Sequence, residues 1–145
     1  ANLVVTRTFS KAYALAGLRV GYAISVPEVA AVLERLRESF NVNGLALAAA
    51  EAGLGDHAHV ARAKAWNLAE REWFADRLRA RGLRVLPSQT NFVLVDFARD
   101  AAPIESALFQ RGVIARPMGG YGLPQCLRIS VGSRAENERL LEVLA

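Results

Sequence analysis

The chain has 145 residues, and its 52% hydrophobic and 22% charged content exclude a disordered segment. The formal net charge of +4 is a mild excess spread along the chain, which argues against a nucleic-acid binder. One cysteine, Cys126, excludes an intrachain disulfide framework and points to a reducing, cytoplasmic setting, and no apolar run approaches the roughly 20 residues of a membrane span.

Residues 2–6 (NLVVT) read as a short buried strand, rich in branched side chains. A polar turn over 7–11 follows, then a small apolar stretch over 12–17 and an alternating strand over 18–24 (LRVGYAI). Ser25 and Glu28 have capping-box spacing with Pro27 in the first turn. The helix they open is expected to reach about residue 39, with Ala30, Val32, Leu33 and Leu36 facing inward. Residues 40–44 (FNVNG) break the pattern. A very apolar helix over 45–54, ended by Gly53 and Gly55, is expected to be buried. A long amphipathic helix over 57–81 stops at Gly82.

From residue 83 the alternation changes. Strands are expected over 83–86, 91–97 (NFVLVDF), 113–116 and 127–131 (LRISV). A helix over 103–111 stops at Gly112, and a second capping box, Ser133 with Glu136, opens a final helix to Leu144. This order is α/β or α+β with a small mixed sheet. The long helix is the natural domain boundary. Ala1 lies in an apolar run with no initiator Met and no secretory signal, so the sequence reads as the C-terminal part of a longer chain.

Lysine is rare here. Sixteen of the eighteen basic residues are arginine, and only Lys11 and Lys64 are lysine. Arginine stays protonated, whereas lysine can act as an amine nucleophile and form a Schiff base with an aldehyde. Lys64 sits mid-helix and needs no special role. Lys11 has the hydroxyls of Thr8 and Ser10 beside it, and Arg19 follows eight residues on, past small residues that let a backbone approach. A lysine, two hydroxyls and a guanidinium suit a phosphorylated aldehyde. A plain polar turn with a solvated arginine is the competing reading.

Arg128 stands in an apolar strand, where a ligand anion would relieve an otherwise costly charge. Arg116 precedes it on the neighbouring strand, just before Pro117. His57 and His59 read as a surface pair at a helix start, with no further ligands for a metal. Cys126 reads as a buried strand thiol, and Trp66 and Trp73 as packing residues. Asn43 and Asn91 read as backbone-bonding asparagines.

The segments Thr8-Phe9-Ser10-Lys11-Ala12-Tyr13 and Leu15-Ala16-Gly17-Leu18-Arg19-Val20-Gly21-Tyr22 resemble the cofactor-lysine region of fold-type-I aminotransferases, which use pyridoxal 5'-phosphate. More narrowly they resemble the histidinol-phosphate aminotransferases. The likeness continues through Phe40-Asn41-Val42-Asn43, Pro87-Ser88-Gln89-Thr90-Asn91-Phe92, Gly112 to Pro117, Tyr121-Gly122-Leu123-Pro124 and Leu127 to Gly132.

The resemblance implies an α/β fold, the C-terminal part of a fold-type-I transferase. Residues 1–45 would end the large cofactor-binding domain, 46–82 would connect, and 83–145 would form the small C-terminal domain. It implies that Lys11 is the catalytic lysine, that Thr8, Ser10 and Arg19 hold the cofactor phosphate, and that Arg116, Arg128 and Tyr121 bind substrate. The implied reaction passes the amino group of histidinol phosphate to 2-oxoglutarate, within histidine biosynthesis and in a homodimer. The family also uses an Asp, a stacking aromatic, an Asn and a Tyr from upstream of the lysine, so this chain is expected to be inactive alone. Aromatic-amino-acid aminotransferases and a threonine-phosphate decarboxylase share the scaffold. So do transcription regulators with an aminotransferase-like effector domain.

Overall fold

The structure, a computed structural model, describes residues 2–144. The chain divides into two compact units, one running to Lys64 and the other starting at Ala65.

In the first unit, β1 (Val5–Thr8) pairs antiparallel with β2 (Gly21–Ile24), in register from Val5↔Ile24 to Thr8↔Gly21. Pairing sets the strand ends, so β1 starts later than its branched residues suggest and takes in Arg7 and Thr8, which the polar pattern assigns to a turn. Both strands are largely exposed, against the expectation of a buried strand. Gly21 is required by close approach, because a Cβ there would lie 2.6 Å from the Arg7 carbonyl oxygen.

Helix α1 (Pro27–Leu36) has Val26 as its N-cap with no side-chain cap. The expected Ser25–Glu28 box does not form, and Ser25 Oγ donates instead to the Val26 carbonyl at 3.3 Å. The helix ends short of residue 39, at Arg37, whose backbone is extended. The stripe expected to face inward is exposed, with Leu36 at 76%. Periodicity identifies the apolar stripe, but burial needs a surface to cover it.

Helix α2 (Gly44–Gly55) is capped by Asn43, whose Oδ1 accepts from Ala46 N at 2.8 Å. It is apolar except for Glu51, yet only Ala46 and Ala50 are buried, and Leu45 stays 80% exposed. The two alanines pack with Phe9 and Val20 into a small core, with Tyr13, Leu15, Leu18 and Val42 around it. Helix α3 (His57–Arg79) begins in this unit and ends in the second. His59, expected on the surface, is half-buried.

The second unit holds a four-stranded sheet in the order β3 (Arg84–Val85), β4 (Phe92–Asp96), β6 (Cys126–Ser130), β5 (Arg116–Pro117). Every pairing is antiparallel, where the element order suggests a mixed sheet. β5 starts later than expected, and Pro117 is tolerated because β5 is an edge strand. Helices α4 (Ala102–Gln110) and α5 (Arg134–Val143) complete the unit. Val93 and Val95 of β4 alternate inward onto Leu127 and Ile129 of β6, and Phe74, Leu78 and Leu108 join the same core. Glu70, Arg71, Phe74, Ala75 and Leu78 form the buried stripe of α3 at helical spacing. The capping box of α5 forms as expected, with Ser133 N donating to Glu136 Oε2 at 2.7 Å.

A polar cluster ties α3 to α5. Glu70 is buried, and both its oxygens accept from Arg134, at 2.9 Å from Nη2 and 3.0 Å from Nε. Asn137 donates to it at 3.3 Å, and the Arg134 guanidinium lies 3.7 Å from the Trp73 ring centroid. The Arg134 hydrogen bonds hold the Glu70 carboxyl below its usual value of 4.5, against the opposing effect of burial. A carboxyl lowered by folding stabilises the native state above its unfolded pKa, and that contribution disappears as pH falls through the folded value. The second unit should therefore lose stability below about pH 4.5. Glu70→Gln should weaken it at pH 7 and flatten the acid limb. Urea denaturation of both proteins at pH 7 and pH 3 checks this, and an unchanged acid limb in the variant would count against it.

Candidate active site

The loop after β1 is built on Phe9. Its side chain is 3% exposed and packs on Tyr13 and Tyr22 at 4.8 and 5.9 Å between ring centroids. Its backbone N donates to Val20 O and its carbonyl accepts from Leu15 N. Ser10 and Lys11 are thereby held in a turn between two anchored points, closed by the Ala14 N to Lys11 O bond of 2.8 Å. Ala14 has φ 57, a left-handed conformation that is uncommon outside glycine.

A 3-10 turn over Ala16–Leu18 then ends at Arg19, which is also left-handed, with φ 55 and ψ 47. Arg19 Nη1 donates to Ala16 O at 2.8 Å and to Ser10 Oγ at a long 3.4 Å. Thr8 Oγ1 donates to Ser10 Oγ at 2.9 Å and accepts from Ser10 N at 3.1 Å. Ser10 Oγ thus accepts twice, and its own proton remains to donate. Among the described residues, neither Lys11 nor Arg19 has a carboxylate partner. Thr8, Ser10 and Arg19 therefore form one group with hydroxyl and guanidinium donors left for an anion, and Lys11 is exposed next to it in the chain.

In the second unit, Arg116 and Arg128 are direct partners across the β5–β6 ladder. Direct partners share a face, and this is the face opposite the buried Val93, Val95, Leu127 and Ile129. Arg116 is exposed and Arg128 half-buried, and among the described residues neither has a carboxylate partner. Like charges in this position destabilise a ladder, and an anion between them reverses the sign. Tyr121 is 66% exposed, in a 3-10 turn over Gly119–Tyr121 that Gly122 ends with φ 76. Among the described residues, no hydrogen bond or cation–π contact links Tyr121 to either arginine. Asn43 caps α2 through its side chain, and Asn91 accepts from Val131 N through its carbonyl. Cys126 is buried, and burial pushes its thiol up.

Sequence reasoning passes over the partners of this face. Phe92 lies under Arg128, with its ring centroid 5.0 Å from the guanidinium carbon. Buried Arg71 donates to Thr90 O at 2.9 Å, joined by Asn67 at 3.2 Å. One signal was available: Glu70 and Arg71 are charges on the apolar stripe of α3, where an unpartnered charge is costly. Among the described residues no group of three or more His, Cys, Asp or Glu could hold a metal ion, and no helix is long and apolar enough to cross a membrane.

Comparison with known proteins agrees with this architecture. The model of the aminotransferase class I and II family matches residues 1–144. The chain is 53% identical over 143 residues to histidinol-phosphate aminotransferase 2 of Pseudomonas aeruginosa, covering 99% of this chain and 39% of that protein. It is 54% identical over 144 residues to the histidinol-phosphate aminotransferase of an Anaeromyxobacter species, again 99% of this chain, and 40% of that one. The chain thus spans about two fifths of the length of these curated relatives. Among solved structures, the histidinol-phosphate aminotransferase of Sinorhizobium meliloti in complex with pyridoxal-5'-phosphate superposes with a TM-score of 0.89 at 36% identity, over 99% of this chain and 41% of that one. The L-threonine-O-3-phosphate decarboxylase of Porphyromonas gingivalis superposes at 0.82 with 25% identity, over 99% and 46%. The chain belongs to the aminotransferase class I and II family and has the α/β fold of the C-terminal part of a fold-type-I transferase.

Proposed function

We propose that the intact protein is a pyridoxal-phosphate-dependent transaminase that moves the amino group of histidinol phosphate to 2-oxoglutarate, yielding imidazole-acetol phosphate and glutamate. The observation that carries this reading is the opposition of Arg116 and Arg128 on one sheet face without a carboxylate partner among the described residues. Two guanidiniums, each able to form paired hydrogen bonds, match a phosphate monoester better than an uncharged aromatic ring does. Relatives near 50% identity that bear the name histidinol-phosphate aminotransferase support it.

The residues of the first unit fit the cofactor. The unspent Ser10 proton and the free guanidinium edges of Arg19 would hold its phosphate, and Thr8 orients Ser10. When bound, pyridoxal phosphate supplies an electron sink for the substrate carbon. Lys11 Nζ would hold that group covalently through its aldehyde carbon. Lys11 Nζ would also be the base that carries the proton away from the substrate's amine-bearing carbon. Arg128, with Arg116, would hold the substrate phosphate through paired hydrogen bonds. Tyr121 would contribute to the substrate loop.

In the same reading, residues 1–45 end the large cofactor-binding domain, 46–82 connect, and 83–145 form the small C-terminal domain. The full-length enzyme is a cytoplasmic homodimer that acts on small molecules, with upstream residues completing the cofactor site.

Steady-state kinetics on the intact protein test the assignment. Histidinol phosphate should be turned over far faster than phenylalanine, and threonine phosphate should release no carbon dioxide. Arg128→Ala should raise KM for histidinol phosphate by about 10²-fold, in line with lost charge-assisted hydrogen bonds. Equal use of phenylalanine, or decarboxylation of threonine phosphate, would overturn it.

A further inference from the structure

We infer that Phe92 is a positioning residue for substrate-anion binding, acting through Arg128 as a platform that is itself locked in place from α3. The inference rests on the reading that Arg128 binds the substrate phosphate. It begins with register. Phe92 pairs with Ser130 and Leu94 with Arg128, so Phe92 and Arg128 are diagonal neighbours on the same face of the β4–β6 ladder. An aromatic and a long side chain reach each other across that diagonal, and the guanidinium carbon sits 5.0 Å from the ring centroid.

The ring does three things for the cation. It attracts the guanidinium through its negative face. It occupies one side of the guanidinium. It also limits the rotamers of a side chain that would otherwise lose much conformational freedom on gripping a ligand. The anion is left to approach along the N–H edge, where paired hydrogen bonds form. Arg116, the direct cross-strand partner, repels Arg128 and would otherwise drive it away from the anion position. The cation–π contact with Phe92 opposes that drift before substrate arrives.

The platform is fixed at its backbone. Ser88 Oγ donates to Phe92 O at 2.6 Å, and Thr90 Oγ1 bonds both the Phe92 carbonyl, at 3.2 Å, and the Phe92 N–H, at 3.3 Å. The carbonyl of Thr90 accepts from Arg71 at 2.9 Å and from Asn67 at 3.2 Å. Asn91 O accepts from Val131 N at 2.9 Å, which ties the same loop to the end of β6. Arg71 is 7% exposed and has no carboxylate partner among the described residues. A buried cation spent on one loop carbonyl is an expensive way to hold a surface loop, and its use here is explained by what the loop carries: Phe92 and, on it, Arg128.

The test compares Phe92→Leu, Phe92→Met, Phe92→Tyr and Arg128→Ala in the intact enzyme, with thermal denaturation to confirm that each is folded. Leu and Met fill space without an aromatic face. Both should raise KM for histidinol phosphate about fivefold, the scale of one cation–π contact, with kcat and the KM for dephosphorylated histidinol unchanged. Phe92→Tyr, which keeps the ring face, should restore the wild-type KM. If Leu and Met leave KM unchanged, or if Tyr fails as badly as they do, Phe92 is not a platform. If Arg128→Ala itself leaves the KM for histidinol phosphate unchanged, the phosphate assignment of Arg128 has failed instead, and the two failures are told apart by that variant alone.

Discussion

Lys11→Ala in the intact protein should abolish covalent cofactor attachment and cut turnover by roughly 10³-fold or more. The size follows from the two roles of one amine. In the proposed reading it would hold the cofactor's aldehyde carbon as a nucleophile and carry the substrate proton as a base, a step worth about 10²–10⁴ by itself. Arg, the cation this chain uses at sixteen of eighteen basic positions, can do neither, so Lys11→Arg should fail as well. Non-covalent cofactor binding should survive, because Ser10 and Arg19, the proposed phosphate donors, are untouched and their geometry is set by Phe9 and the turn ending at Arg19. Borohydride reduction followed by peptide mass mapping reads attachment directly. A cofactor adduct that persists in the Lys11→Ala protein, or maps to Lys64, would remove Lys11 from the mechanism.

The largest stability effect should come from Phe74→Ala. Phe74 is fully buried and lies on the α3 stripe against Val93, Val95, Leu108 and Leu127, which join both central strands to α4. Truncation removes the transfer free energy of the ring and leaves a cavity that strands tied by hydrogen bonds cannot close, for about 3–5 kcal/mol. In a unit of this size that is on the order of 10–30 °C in Tm. Because the first unit has its own small core of Phe9, Val20, Ala46 and Ala50, the loss should be confined to the second unit. Hydrogen exchange resolved by peptide should show protection falling from Ala65 onward and holding around Phe9 and Val20. A shift below about 1 kcal/mol would mean that Phe74 is not the centre of that core.

The helices from α2 onward were legible because their signals are local. The apolar run of α2 gives out at Gly55, Gly82 and Gly112 adopt positive φ where α3 and α4 give out, and the Ser133–Glu136 box opens α5. Strands β4 and β6 were legible from alternation. The strand limits were less so, because a strand ends where its partner does. Arg7 and Thr8 are polar, yet they pair with Tyr22 and Gly21.

Burial was the weakest expectation, and the reason is physical. The stripe of α1 and the leucines of α2 are apolar by composition, but hydrophobic free energy is gained only against a covering surface, and no periodicity says where that surface is. For the candidate site, sequence by itself selected the residue types and their order: a rare lysine, two hydroxyls and Arg19 in the first unit, and two strand arginines in the second. Only the tertiary structure decided the contacts that make them a device. The left-handed backbone at Arg19 turns its guanidinium back to Ser10, the β5–β6 register sets Arg116 against Arg128, and the β4–β6 diagonal slides Phe92 beneath it. These are relations between segments up to tens of residues apart in the chain. They are set by hydrogen-bond register and packing, which no single stretch of sequence contains.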